Sequence, residues 1–235
     1  MDADERSAVS MSHLSSLPVG VLDELLTDAV RMKIPAGSVT HREGEGRPHL
    51  ELVVRGVVRA FVTAPDGRTM TIRYCRPGAL IGAWSLFATD LAMPATTQAL
   101  VDAELLKISP TVARHLGEKD VRVAVALLRE LSERAWNFVY EIPGNAFATV
   151  GQRVARHLLD LASEREQRAS RRPGGELIAP VTQQELADAV GTVREVVVRV
   201  LRDLREKDVV RTTRDGIVIV EPARLIEEQK WNQSS

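Results

Sequence analysis

Between residues 33 and 108 the apolar positions come in short, β-branched runs, and glycine interrupts them at Gly37, Gly44, Gly46, Gly56, Gly67, Gly78 and Gly82. Runs of this length with glycine turns between them predict many short antiparallel strands, closed or sandwiched against one another. The clearest piece, LVVRGVVRAFVTAPDGRTMTIRYC, has two apolar-rich arms joined by Pro65-Asp66-Gly67. Proline fixes φ and glycine accepts positive φ, so the pattern predicts a hairpin there. Ahead of it, residues 18–32 predict a short helix.

After Pro110 the period changes. Ala124, Leu128, Leu131, Ala135, Phe138 and Ile142 are spaced 4, 3, 4, 3, 4, the a/d pattern of a heptad. Two readings stand: a core helix lying on the strands, or the seam of a parallel dimer, including one with an edge still touching the strands. Pro143-Gly144 is expected to stop or kink this helix, because proline lacks the amide donor and glycine is permissive. From Thr149 a second helix runs through VGQRVARHLLDLASERE, and the basic RRPGG that follows reads as a surface loop. Residues 177–181 suggest a short strand. Thr182-Gln183-Gln184-Glu185 has the form of a capping box, so a helix begins at Gln183 and ends at Gly191. A further helix covers residues 193–206, and VVRTTRDGIVIV reads as a hairpin turning at Asp215-Gly216. The expected division is residues 1–117, 118–143 and 144–235.

The helices around Gly191 carry the strongest functional signal. Ala187 leaves room for close helix contact, Gly191 makes the sharp turn, and Leu186, Val190, Val197, Val200 and Leu201 supply the apolar faces of a helix-turn-helix. Near the start of the second helix the outer face presents Thr192, Arg194, Glu195, Val198 and Arg199, with Thr182 at the start of the first. That end of a recognition helix enters the major groove of DNA. Arginine offers two donors to guanine O6 and N7, and glutamate accepts from cytosine N4.

Composition narrows the classes. The 235 residues include 31 Lys or Arg and 32 Asp or Glu, a net charge of −1, with 44% hydrophobic residues and one cysteine. This is ordinary globular composition. No apolar run reaches 18 residues and the start, MDADERSAVS, lacks a secretory pattern, so a cytoplasmic protein with no membrane contact is expected. Cys75 alone forms no internal disulfide and holds no iron–sulfur cluster or structural zinc; on its strand it reads as a small buried hydrophobe. No phosphate-binding glycine loop with lysine, metal-ligand cluster or nucleophile elbow appears, so no enzyme is expected. Near-neutrality at first argues against nucleic acid. Between residues 192 and 214, however, seven basic residues face four acidic ones, a local +3.

The run TQQELADAVGTVREVVVRVLRDLREKDVVR and the hairpin after it closely resemble the C-terminal winged helix-turn-helix of the bacterial cAMP receptor protein/FNR family of transcription regulators. PAGSVTHREGE, LVVRGVVRAF, PDGR and RPGALIGAWSLF resemble that family's β-roll, and the heptad helix its dimerisation helix. The resemblance implies an α+β chain: an N-terminal antiparallel β-roll of cyclic-nucleotide-binding type, a long dimerisation helix and a C-terminal winged helix-turn-helix. It also implies a homodimer on palindromic double-stranded DNA, with RNA polymerase as a further partner. In the branch reading TGTGA half-sites the recognition helix carries Arg-Glu-x-x-x-Arg, which falls on Arg194, Glu195 and Arg199. Val196 and Val198 depart from the motif, where a Thr or Ser and a small residue are usual.

The resemblance fails at the effector pocket. The family's cAMP-binding glutamate position is Ala83 here and its arginine position is Met93. Phe138 and Val139 replace the Thr/Ser pair that meets adenine. No arginine occurs between Ile81 and Lys107. cAMP is therefore not expected to bind well, since a buried phosphate without a cation is costly. The expected pocket is apolar, formed by Tyr74, Ala83, Trp84, Met93 and Phe138, and either is a filled core or admits an apolar ligand; no cofactor is predicted. For haem, His41, His49, His115 and His157 carry no axial-ligand motif. A different class remains open: a sensor of an apolar ligand, haem or redox state that acts mainly through protein contacts.

Overall fold

The structure, a computed structural model, describes residues 1–88, 92–169, 177–214 and 216–229, with backbone alone at 140–146, 163–169 and 229. Two compact units divide the chain: Met1–Val62 with Ile72–Phe138, and Thr63–Thr71 with Val139–Ser235.

The first unit begins with α1 (Ala3–Ser10), whose start is closed by a reciprocal capping box between Asp2 and Glu5. The helix expected at 18–32 is shorter: α2 spans Val19–Leu26, and β1 occupies Val30–Ile34. The reason is a change of period, for Val30, Met32 and Ile34 alternate with Arg31 and Lys33, which suits a strand. The remaining strands are β2 (Val39–His41), β3 (Leu50–Arg55), β4 (Val58–Thr63), β5 (Thr69–Cys75), β6 (Leu80–Ile81), β7 (Thr96–Ala99) and β8 (Ala103–Ile108). They form two four-stranded sheets, ordered β1-β8-β3-β6 and β2-β7-β4-β5. The first apolar arm of the expected hairpin is two strands broken at Gly56. Its φ is +80°, and a Cβ there would lie 2.5 Å from the Asp102 carbonyl oxygen, so only glycine fits.

Leu50, Leu52, Leu106 and Ile108 carry the core of this unit, covered by Leu14 and Leu25 from the N-terminal segment. From the other direction come α3 (Pro110–Lys119) and α4 (Val121–Phe147), which bury Ala113, Leu116, Val123, Ala126 and Leu127. Each fully buried leucine contributes about 1.5–3 kcal/mol.

One expectation for α4 is corrected. The helix does not stop at Pro143-Gly144 but continues to Phe147; one missing amide donor so close to the C-terminal end does not terminate a 27-residue helix. The predicted seam is divided between the outward face and the core. Leu131 packs against the core and Ala124 is half-buried, whereas Val121, Val125, Leu128, Ala135, Phe138 and Val139 are exposed. The side chain of Ile142 lies outside the described residues.

The second unit contains α5 (Val150–Ala169), β9 (Leu177–Ala179), α6 (Gln183–Val190), α7 (Arg194–Glu206), β10 (Val210–Thr213), β11 (Gly216–Ile219) and α8 (Pro222–Gln229). The start of α5 is capped reciprocally. The Thr149 amide donates to Gln152 Oε1 at 2.8 Å, and the Gln152 amide donates to Thr149 Oγ1 at 3.2 Å. The strands form one antiparallel sheet in the order β10-β11-β9. Val154, Leu158, Leu186, Val197, Leu201 and Leu225 are fully buried. RRPGG and Asp215 lie outside the described residues.

Candidate nucleic-acid interface and ligand cavity

Local chemistry positions the two interface helices. Thr182 Oγ1 accepts from the Glu185 amide at 3.2 Å, and the Thr182 amide donates to Glu185 Oε2 at 2.7 Å, the capping box expected there. Gly191 closes α6 in the left-handed conformation, φ 70° and ψ 40°, and the Thr192 amide donates to the Ala187 carbonyl at 3.0 Å. Leu186, Ala187 and Val190 then face Val197 and Leu201, all buried; Val200, expected in that clamp, is half-buried.

This packing turns the other side of α7 outward. Arg194, Glu195, Val198 and Arg199 are exposed and Thr192 is half-buried. Among the described residues, neither guanidinium forms an ion pair or hydrogen bond, and Glu195 and Arg199 form no salt bridge although they are one turn apart. Their donors and acceptors are thus uncommitted, as base reading requires. Between α6, the start of α7 and the β10–β11 hairpin lies a groove of about 510 Å³, walled by Thr182, Gln184, Arg194, Thr212, Thr213 and Arg214. Thr212, Thr213 and Arg214 were not singled out from the sequence, although the hairpin that carries them was. The exposed N-terminal amides of α7 and the positive end of its dipole suit a phosphate-bearing partner.

In the first unit a cavity of about 50 Å³ is walled by Arg73, Cys75, Ala83, Trp84, Met93 and Arg134, among others. It brings together three of the five expected pocket residues. Tyr74 is not among the lining residues, because Arg73 and Cys75 on either side of it take the inward face of β5 and alternation turns Tyr74 away. Phe138 is 56% exposed and does not line it either. Nor is the lining wholly apolar: two guanidiniums reach it from β5 and α4, outside the stretch where arginine is missing. Arg73 donates to the Leu80 carbonyl at 3.2 Å and to Glu130 Oε1 at 3.3 Å. Burial raises the Glu130 carboxyl above its ordinary range, and the Arg73 charge opposes that shift. Cys75 is buried, and burial pushes its thiol up.

The four histidines weighed as haem ligands are scattered. His115 is exposed, His157 is buried in α5, and His41 and His49 stack on each other. Among the described residues no group of three or more His, Cys, Asp or Glu side chains is arranged to hold a metal ion.

Comparison with known proteins gives matches along most of the chain. The Crp-like helix-turn-helix domain matches residues 152–228, and the cyclic nucleotide-binding domain matches residues 31–120. The cAMP-activated global transcriptional regulator Vfr of Pseudomonas aeruginosa is 31% identical over 201 residues, covering 84% of this chain and 92% of that protein. The cAMP-activated global transcriptional regulator CRP of Haemophilus influenzae is 29% identical over 199 residues, covering 85% and 88%. Among solved structures, the c-di-GMP-responsive global regulator CLP of Xanthomonas campestris superposes with a TM-score of 0.71 at 25% identity, covering 86% of this chain and 99% of that one. FixK2 of Bradyrhizobium japonicum shares the fold, with a TM-score of 0.71 at 20% identity, covering 87% and 98%.

Proposed function

The chain belongs to the CRP/FNR family of DNA-binding transcription regulators, and from that premise we propose that it acts as a homodimer reading a TGTGA-like palindrome through Arg194, Glu195 and Arg199, without needing cAMP. The observation that carries the reading is the uncommitted, exposed Arg194, Glu195 and Arg199 set at the start of α7. Each arginine suits a guanine and Glu195 a cytosine, while Val196 and Val198 alter the outer preference through apolar contact with a thymine methyl. The exposed stripe on α4 is a surface that a second copy would cover, placing two recognition helices on half-sites one helical turn apart. RNA polymerase is the partner such a regulator would meet at a promoter.

The case against cAMP rests on this chain's own residues. Ala83 and Met93 stand where an acceptor for ribose and a cation for phosphate would be needed. The cavity holds about 50 Å³, against roughly 300 Å³ and upward for ordinary small-molecule sites. Arg73 is already held by Glu130, which leaves Arg134 as the cation at the wall. The relatives named as cAMP-activated make the point worth testing directly.

The test is a fluorescence anisotropy titration of the full-length protein against a labelled TGTGA palindrome and a scrambled duplex, with and without cAMP. We expect specific binding that cAMP leaves unchanged. Arg194→Ala should weaken binding about 5- to 150-fold, the equivalent of one lost bidentate contact. Equal affinity for the scrambled duplex overturns the base-reading assignment, and binding that appears only with cAMP overturns effector independence.

A further inference from the structure

Four ionisable side chains cluster behind the 82–86 turn, whose residues Gly82, Ala83 and Trp84 line the cavity. His41 on β2 and His49 just ahead of β3 stack with ring centroids 4.0 Å apart and an interplanar angle of 23°. Glu51 on β3 is buried, with its Oε1 at 3.0 Å from His41 Nε2, and Glu45 Oε2 stands 3.8 Å from His41 Nδ1. His49 Nδ1 lies 3.1 Å from the Arg47 carbonyl. A carbonyl only accepts, so Nδ1 carries the proton of the neutral ring and Nε2 is bare. That Nε2 is buried and without a hydrogen-bond partner, as is Glu51 Oε2.

The other face of His49 is pressed against the turn that forms the cavity wall. Gly82 sits at φ 88°, and a Cβ there would fall 2.3 Å from the His49 carbonyl oxygen and 2.7 Å from Nε2. Ser85 Oγ accepts from the His49 amide at 3.0 Å, and Trp84 meets the His49 ring edge-on at a centroid distance of 6.5 Å. The 82–86 turn carries Ala83 and Trp84 into the cavity lining. His49 is thus wedged between a second imidazole and the turn.

We propose that the His41–His49 stack is a proton-operated latch behind the cavity wall: with His49 uncharged it holds the 82–86 turn closed, and protonation of His49 parts the rings and frees the turn. The charged and titratable groups around His49 are His41, Glu45 and Glu51. Lys107 stands opposite Glu51 in register on β8 but is exposed, and the turn itself brings no charge. A proton on His49 would stand against the His41 ring, while the near carboxyl oxygen of Glu51 is already taken by His41 Nε2 at 3.0 Å. That proton also arrives at an Nε2 that has no acceptor. Burial, and then His41, hold the His49 imidazole below its ordinary value, so the latch is shut at neutral pH and opens as pH falls. The proton would then be the effector of a cavity too small for an ordinary ligand, which deepens the reading above although the latch stands without it.

The test uses the full-length chain carrying Trp136→Phe and Trp231→Phe, which leaves Trp84 as the one indole. On titration from about pH 8 to about pH 5 its emission should change in one step, with a midpoint below the ordinary imidazole value of about 6.5. His49→Gln should abolish the step and His41→Gln should move it upward. Emission that stays flat overturns the latch. So does a step that survives His49→Gln, or one that coincides with loss of the far-ultraviolet helical signal. Should His49→Gln fail to fold, the imidazole C2 proton resonances of the unsubstituted chain decide. One histidine titrating below about 6.5 in concert with the Trp84 indole resonance supports the latch, and its absence overturns it. DNA enters neither measurement, so this result and the DNA-binding result fail independently.

Discussion

His157 lies on α5 with Arg153 one turn before it and Arg156 beside it. Burial first, then those two charges, push its imidazole down to about 3. The unfolded chain takes up a proton near the ordinary value of about 6.5, while the folded chain refuses it until far lower. This contribution to stability is therefore complete above about pH 6.5 and is lost as pH falls toward 3, at no more than about 1.4 kcal/mol per pH unit. Urea unfolding across that window should show the decline, and His157→Gln should flatten it. That burial was not read from the sequence, where His157 was weighed only as a haem ligand, although Val154, His157, Leu158 and Leu161 share one helical stripe. The outward exposure of Arg194, Glu195 and Arg199 was legible, because turn glycine and helix period together fix which side faces out. Arg73 and Arg134 were not. They reach the cavity from β5 and from α4, and nothing local to residues 81–107 announces side chains brought in by tertiary packing.

Short elements depend on their ends. At eight residues α6 is below the length at which a helix persists alone in water. It is fixed by the Thr182–Glu185 box at one end and Gly191 at the other. Thr182→Ala should cost about 1 kcal/mol of stability, read as a lower thermal midpoint, and should weaken DNA binding through the loosened start of α6. Both caps were visible as residue types at set spacings, and so were the wing hairpin and the glycine-punctuated strands. Element boundaries were harder to read. The helix expected at 18–32 gave way to β1 because pairing with β8 in register, from Val30 opposite Lys107 to Ile34 opposite Ala103, outweighs a marginal helical pattern. The end of α4 was misplaced because a proline signals the loss of one hydrogen bond, and a long helix can absorb that near its end.

For the whole molecule, the two faces of α4 separate folding from the proposed assembly. Val123, Ala126 and Leu127 face the core, while Val121, Val125 and Leu128 are exposed in the single chain. Leu128→Asp should shift sedimentation from dimer toward monomer with little change in the stability of the folded chain. Leu127→Ala should destabilise the chain by about 2–5 kcal/mol while the surviving folded material still assembles. The heptad spacing was visible in the sequence, but which of its members lie on the core edge was not, because a helix with apolar residues on two faces offers more than one seam. Net charge was a poor guide at this scale, as a total of −1 averages over a segment of local +3 in the DNA-facing unit. One further consequence follows from Cys75, the chain's single cysteine, buried in the cavity wall. A thiol reagent in solution can reach that sulfur only when the wall breathes, so the rate of covalent labelling is a clock for the opening, available in the native protein without an engineered cysteine or an attached dye.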